Sequence, residues 1–205
     1  MALAGKTKHE VVSEFRCAEI LAAARRVFAR RGFSDATVDE IATAAGIAKG
    51  TVYLYFPSKK DIYLAALKEG LVELRERTRL NMREAAGIRA KLRSFIATRI
   101  GYAEANRDFI HIYHAEISNL PKSAAGFDDE FRQLYLQQAN LLEAELRAAV
   151  KRGEIRPIRT DFAAFLIYDM VRGVMAQRLL RWSKAEISED IELLESMIWK
   201  GLGTA

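Results

Sequence analysis

Apolar residues recur along this chain at helical spacing. Ile20, Leu21, Ala24, Val27 and Phe28 fall at i, i+1, i+4, i+7 and i+8, one stripe of a helix running from about Ser13 to Arg31, which Gly32 ends. Val38, Ile41, Ala42 and Ala45 make the stripe of a second, shorter helix. Thr37 and Glu40 open it as a capping box and Gly46 turns the chain after it. A third apolar cluster occupies 48–56, "AKGTVYLYF". Beyond Pro57, Ser58 and Asp61 repeat the capping pattern and start a long helix from about Lys59 to Met82 or further. Later helices are predicted near 88–105, 107–119, 127–152, 159–183 and 188–202, with a loop at 119–127. Strand signals are missing: there is no sustained two-residue alternation and no Asn-Gly or Asp-Gly turn. Pro57, Pro121 and Pro157 each fall between periodic segments, where a helix must stop. The predicted fold class is all-α with about nine helices, divided into an N-terminal unit at 1–57 and a larger helical unit at 58–205.

The third helix is odd for its length. On a wheel of about 100° per residue, Ala48, Val52, Tyr55 and Phe56 cluster on one side, where they can pack on the first two helices. Gly50, Tyr53 and Leu54 occupy the other side, flanked by Lys49 and Thr51. A glycine costs a helix about 1 kcal/mol relative to alanine and is useful where another surface approaches the backbone. A lysine at a helix start stands at the end unfavourable to cations. Both choices make sense against a polyanion: helix N-termini and lysines hold phosphate, Tyr53 can hydrogen-bond a phosphate oxygen, and Leu54 can touch a thymine methyl. Two short helices joined by a glycine turn form a helix-turn-helix, whose second helix enters the DNA major groove. The alternative is a helical subdomain that packs both faces of this helix internally.

Charge adds modest support. The net charge is +5, and residues 1–60 hold 10 Lys/Arg against 6 Asp/Glu, so the first third carries +4 of it. Half the residues are apolar and 29% are charged, a globular composition. No apolar run reaches the roughly 18 residues of a membrane span, and no secretory signal is visible at the N-terminus. The single cysteine, Cys17, excludes an intrachain disulfide, reads as a small packing residue and fits a cytoplasmic location. The basic arm, Lys6 and Lys8, reads as a disordered tail or as a further DNA contact.

Residues 20–67, "ILAAARRVFARRGFSDATVDEIATAAGIAKGTVYLYFPSKKDIYLAAL", closely resemble the DNA-binding domain of the tetracycline-repressor (TetR) family of transcriptional regulators. Phe28, Gly32, Phe33, Thr37, Ile41, Ala42, Ala45, Gly46, Lys49, Gly50, Thr51, Tyr53, Tyr55, Phe56, Lys59 and Leu64 carry the likeness. It implies that Thr37 contacts phosphate and that Lys49, Gly50 and Thr51 meet bases or backbone. It also implies that Tyr53, Tyr55 and Lys59 reach phosphates of double-stranded operator DNA, although the wheel places Tyr55 nearer the core. The family often has Ser or Thr where this chain has Ala48, so residue 48 loses a hydroxyl cap and no DNA contact is expected from it.

The resemblance further implies a C-terminal ligand-binding and dimerisation domain, and a homodimeric repressor released from a palindromic operator by a small lipophilic or aromatic effector. The dimer seam is predicted in the last two helices, at Ala163, Ala164, Gly173, Ala176, Ile191, Leu194, Ile198 and Leu202, with Trp199; the alternative is ordinary core. Aromatic residues crowd the middle helices, Phe95 and Phe127 among them. Tyr102, Phe109, Tyr113, Phe131, Tyr135, Phe165 and Tyr168 are candidates to line an effector cavity, with His114, Tyr168 and Arg172 as polar groups that orient the ligand. Arg172 lies in an apolar run, so it is paired, aimed at a ligand, or turned to solvent. His111 and His114 at i, i+3 could begin a metal or catalytic site, but no third ligand stands at firm spacing. No cofactor signature and no convergent nucleophile-base set is visible, so the chain is read as a regulator and not an enzyme. The alternatives are a helical enzyme or metal protein around His111 and His114, or an interaction module without DNA binding.

Overall fold

The computed structural model describes residues 7–119 and 129–203. Within them lie nine α-helices: α1 (Lys8–Asp35), α2 (Val38–Ala45), α3 (Lys49–Tyr55), α4 (Lys59–Glu84), α5 (Gly87–Ala105), α6 (Arg107–Asn119), α7 (Asp129–Lys151), α8 (Thr160–Leu179) and α9 (Ile187–Leu202). Extended pairing among the described residues is limited to one isolated bridge, Ile155 with Gly203. The predicted loop beyond Asn119, with Pro121 and Phe127, lies outside the described residues, as does Lys6.

α1 starts earlier than the apolar stripe suggested. Thr7 and Glu10 form a capping box, with the Glu10 carboxylate accepting from the Thr7 amide at 2.7 Å. Lys8, expected in a disordered arm, is therefore the first residue of the helix. Gly32 breaks the helical path as predicted, at φ 73°, a conformation that favours glycine. The predicted box at Thr37 and Glu40 is present, and Gly46 closes α2 in the left-handed conformation.

The three N-terminal helices share a small core. Ile20, Ala24, Val27 and Phe28 of α1 meet Val38 and Ile41 of α2 and Val52 of α3, all buried. α4 extends this core into the rest of the molecule. Its first turns bury Ile62 and Tyr63, and further along it packs between α5, α6 and α7. Tyr63 rests edge-on against Phe28, 5.0 Å between ring centres, and its hydroxyl donates to Glu116 of α6 at 3.2 Å. Burial raises the Glu116 carboxyl above the usual range, and the Tyr63 bond opposes that rise. Midway along α4, Gly70 lets α6 come close: a Cβ there would lie 2.3 Å from the Phe109 ring.

α9 turns its main stripe inward. Ile191, Leu194, Ile198 and Leu202 are buried within the chain, with α9 lying on α5, so the predicted seam residues of this helix belong to its own core. Ala164 is buried as well. The reason is periodicity: the strongest apolar stripe of a helix serves the nearest core, and a partner surface must use what remains. What remains is apolar too. Phe162, Leu166 and Met170 on α8 and Leu193 and Met197 on α9 are exposed, Leu193 at 63% and Met197 at 61%. No helix among the described residues is long and apolar enough to cross a membrane.

Candidate functional site

α3 presents the two faces that its composition required. Val52 is fully buried and Phe56 nearly so, whereas Leu54 is 82% exposed and Tyr53 46%. Tyr55 is half-buried against the core, as the wheel placed it. Among the described residues, and apart from its own helix backbone and chain neighbours, nothing lies within 4 Å of a Cβ built on Gly50, so packing there gives no reason for a glycine. Ala48 begins α3 with no side-chain cap. Thr51 is half-buried beside the exposed Lys49 and Gly50.

The polar residues around this face are engaged with one another. The Lys49 ammonium pairs with Asp39 of α2 at 2.7 Å, and that bond raises the lysine above its usual range. Both groups are exposed, so the pair contributes little to stability and can exchange for a phosphate. The Thr37 hydroxyl caps α2 and donates to Glu40 at 3.1 Å. Lys59 is used in a way that its sequence position did not reveal. Its ammonium donates to the backbone carbonyls of Ser34 at 3.0 Å and Ala36 at 2.8 Å and stands 4.7 Å over the Phe33 ring. It fastens the start of α4 to the connection between α1 and α2, with one of its three donors left for another acceptor.

The aromatic candidates of the C-terminal region come together as a run of rings. Tyr102 meets Phe109 edge-on, Phe109 stacks on Tyr113, and Tyr113 touches His114, with ring centres 5.8, 5.8 and 5.7 Å apart. The Tyr113 hydroxyl bonds to that of Tyr168, whose ring packs 5.2 Å from Tyr135, itself edge-on to Phe165. Phe131 is buried in the same core. Tyr102 faces away from the others at its polar end, donating to Glu73 of α4 at 2.9 Å. Burial raises the Tyr113, Tyr168 and Tyr135 phenols, so these rings stay protonated near neutral pH. Burial also pushes His114 down to about 4, with Arg172 and His111 nearby adding to the effect, so it is a neutral imidazole. Arg172 is paired: its Nε donates to Asp169 at 3.0 Å, and the same carboxylate accepts from Tyr135.

His111 is exposed, and no group of three or more His, Cys, Asp or Glu among the described residues is arranged to hold a metal. An open groove of about 770 Å³ between α1 and α2 is lined by Arg30, Arg31, Asp39 and Glu40 together with Val27 and Ala44, away from the aromatic run. Sequence reasoning missed Arg99. This arginine is 1% exposed, at the centre of the α5 core face. The signal was available: Leu92, Phe95, Ile96, Ile100 and Ala103 form one stripe, and Arg99 falls inside it.

Known proteins are similar to this chain in sequence and in fold. Residues 20–66 match the model for bacterial regulatory proteins of the tetR family, and residues 85–176 match a tetracyclin repressor-like C-terminal domain. The transcriptional repressor KstR2 of Rhodococcus jostii is 30% identical over 172 residues, covering 82% of this chain and 79% of that protein. The chain belongs to the TetR family. The fatty acid metabolism regulator protein of Bacillus subtilis is 25% identical over 180 residues, 88% of this chain and 90% of its own. Among solved structures, FadR from Bacillus subtilis in complex with stearoyl-CoA superposes with a TM-score of 0.75 at 23% identity, covering 88% of this chain and 96% of that one. FadR from Bacillus halodurans gives 0.77 at 23% identity over 95% and 96%. This TetR-family chain is accordingly a DNA-binding transcriptional regulator and not an enzyme, which sets aside the reading of His111 and His114 as a catalytic pair.

Proposed function

We propose that this TetR-family protein is a cytoplasmic homodimeric repressor, in which residues 1–57 read a palindromic operator and residues 58–205 hold an effector and the dimer surface. The observation that carries the DNA-reading half is α3: an exposed Tyr53–Leu54 face beside a glycine that the fold itself does not need. In this reading Leu54 reaches base edges, Gly50 admits the DNA backbone, and Thr37, Lys49, Thr51, Tyr53 and Tyr55 hold phosphates. Lys59 offers its remaining donor to phosphate while keeping α4 attached to the reading head. The exposed faces of α8 and α9 supply the dimer surface, which places two recognition helices about 34 Å apart. The ring run from Phe109 to Phe165 surrounds a lipophilic or aromatic effector, with Tyr102, Phe131 and His114 at its margins and Arg172 beside it. A relative whose structure holds stearoyl-CoA makes acyl compounds the first class to screen.

Selection from random duplex DNA with the purified protein tests the reading. Wild type should enrich a palindrome and bind it with an affinity that falls steeply as salt rises. Tyr53→Ala and Lys59→Ala should each weaken binding by about tenfold or more, roughly 1.4 kcal/mol or above. No enrichment, or equal affinity in all three proteins, would remove the assignment of α3 as the reading element.

A further inference from the structure

Among the described residues Arg99 has no counter-ion, although it stands in the core. Its Nη1 donates to the Gln138 side-chain oxygen at 3.2 Å, while Nε and Nη2 are buried with no hydrogen-bond partner. The guanidinium carbon lies 5.2 Å from the centre of the Phe95 ring and 4.8 Å from that of Tyr168, two cation–π contacts. Those contacts soften the burial of a cation but do not satisfy its donors. An arginine cannot escape by losing its proton, as a lysine or histidine can. Burying a cation with no anion beside it is unfavourable, so a role in stability alone does not account for it.

The unpaired atoms are chemically specific. In the planar guanidinium, Nε–H and one Nη2–H lie parallel along one edge, the edge that holds both oxygens of a carboxylate side-on. Gln138 occupies the other terminal nitrogen and leaves this edge open. Close by, the Tyr113 and Tyr168 hydroxyls bond to each other. Two hydroxyls carry two hydrogens and one bond between them uses one, so one O–H remains to donate. Both phenols feel the charge of Arg99, which opposes the rise that burial imposes on them. Two unused donors of Arg99 and one spare phenol hydrogen therefore lie in the same aromatic core.

We infer that the effector is an amphipathic carboxylic acid, whose ionised head binds side-on to Arg99 Nε and Nη2 with a phenol of the Tyr113–Tyr168 pair, while its apolar body lies among the rings. This rests on the reading of residues 58–205 as the effector domain and adds the chemistry of the head group. A thioester or an ester offers one carbonyl oxygen to this edge and carries no charge, so it leaves a donor unsatisfied. This site is also linked to α4 through one side chain: Gln138 accepts from Arg99 and donates to the Leu71 carbonyl at 3.2 Å.

Calorimetric titration of the full-length protein tests this. The probes are decanoate, hexadecanoate and phenylbutanoate, each beside its alcohol, its methyl ester and its CoA thioester. For at least one body, the free acid should bind about a hundredfold tighter than the alcohol or the ester, the range expected for hydrogen bonds to a charged group. Arg99→Met, similar in length and apolar, should bind acid and alcohol alike. Arg99→Lys, which keeps the charge but loses the paired edge, should retain part of the preference, and it serves as the variant if Arg99→Met does not fold. Equal binding of acid, alcohol and ester by wild type, or an undiminished acid preference in Arg99→Lys and Arg99→Met, overturns the inference. Operator release by a CoA thioester without its free acid would overturn it while leaving the repressor reading intact. Failure of every probe to bind would overturn the inference, while the repressor reading would still stand or fall on the operator selection.

Discussion

At the scale of the residue, Gly50 separates folding from function. Among the described residues a Cβ at this position meets nothing beyond its own helix, so Gly50→Ala should stabilise the protein by up to about 1 kcal/mol and raise Tm by up to roughly 2–4 °C. The same methyl would project from the face that we assign to DNA, so operator affinity should fall by about tenfold or more. Melting curves and DNA titrations on one preparation decide it, and a stabilised variant with unchanged affinity would show that nothing approaches the backbone there. This position was legible in the sequence because a short helix with apolar residues on both sides has one side too many. Tyr53 and Leu54 followed from the same wheel. Arg99 escaped because a charged side chain is ordinarily assigned to solvent, and only the apolar residues around it on the helical stripe contradict that. The partners of Lys59 could not be read at all, since the carbonyls of Ser34 and Ala36 reach it only through the tertiary path of the chain.

Between elements, α4 and α6 meet closely at Gly70. The Phe109 ring is seated against the backbone at Gly70, and Tyr63 and Glu116 bond across the same pair of helices. Gly70→Ala should force the buried ring aside and destabilise the protein by about 1–3 kcal/mol, visible as a lower urea midpoint. An unchanged midpoint would mean that the ring is free to move. Helix existence was largely legible, because capping residues and apolar period agree in α2 and α4. The start of α1 was not: the Thr7–Glu10 box precedes the apolar stripe and sits among exposed residues, where periodicity carries no signal. The direction of the α9 stripe was also misread, since the sequence shows that a face is apolar but not whether its own chain or another covers it.

For the whole molecule, the exposed apolar faces of α8 and α9 adjoin the buried stripes that hold the chain together. Leu193→Glu combined with Met197→Glu changes side chains that make no part of the described core, so helicity by circular dichroism should persist. The pair of charges should nevertheless give a monomer by native mass spectrometry at micromolar concentration and weaken operator binding, because each half-site alone is held feebly. A dimer that survives both substitutions would place the interface elsewhere.

The seat of Phe109 at Gly70 divides α4 into two arms. The eleven steps from Lys59 to Gly70 span roughly 17 Å and the fourteen from Gly70 to Glu84 roughly 21 Å, at about 1.5 Å per residue. A tilt about that contact makes α4 a lever of nearly equal arms, with a mechanical advantage close to one. Such a helix reverses a displacement without magnifying it: 1 Å at the far end returns about 0.8 Å, in the opposite direction, at the end fastened by Lys59. Any gain in a dimer would come from symmetry, because a two-fold axis doubles the change in separation between the two reading heads.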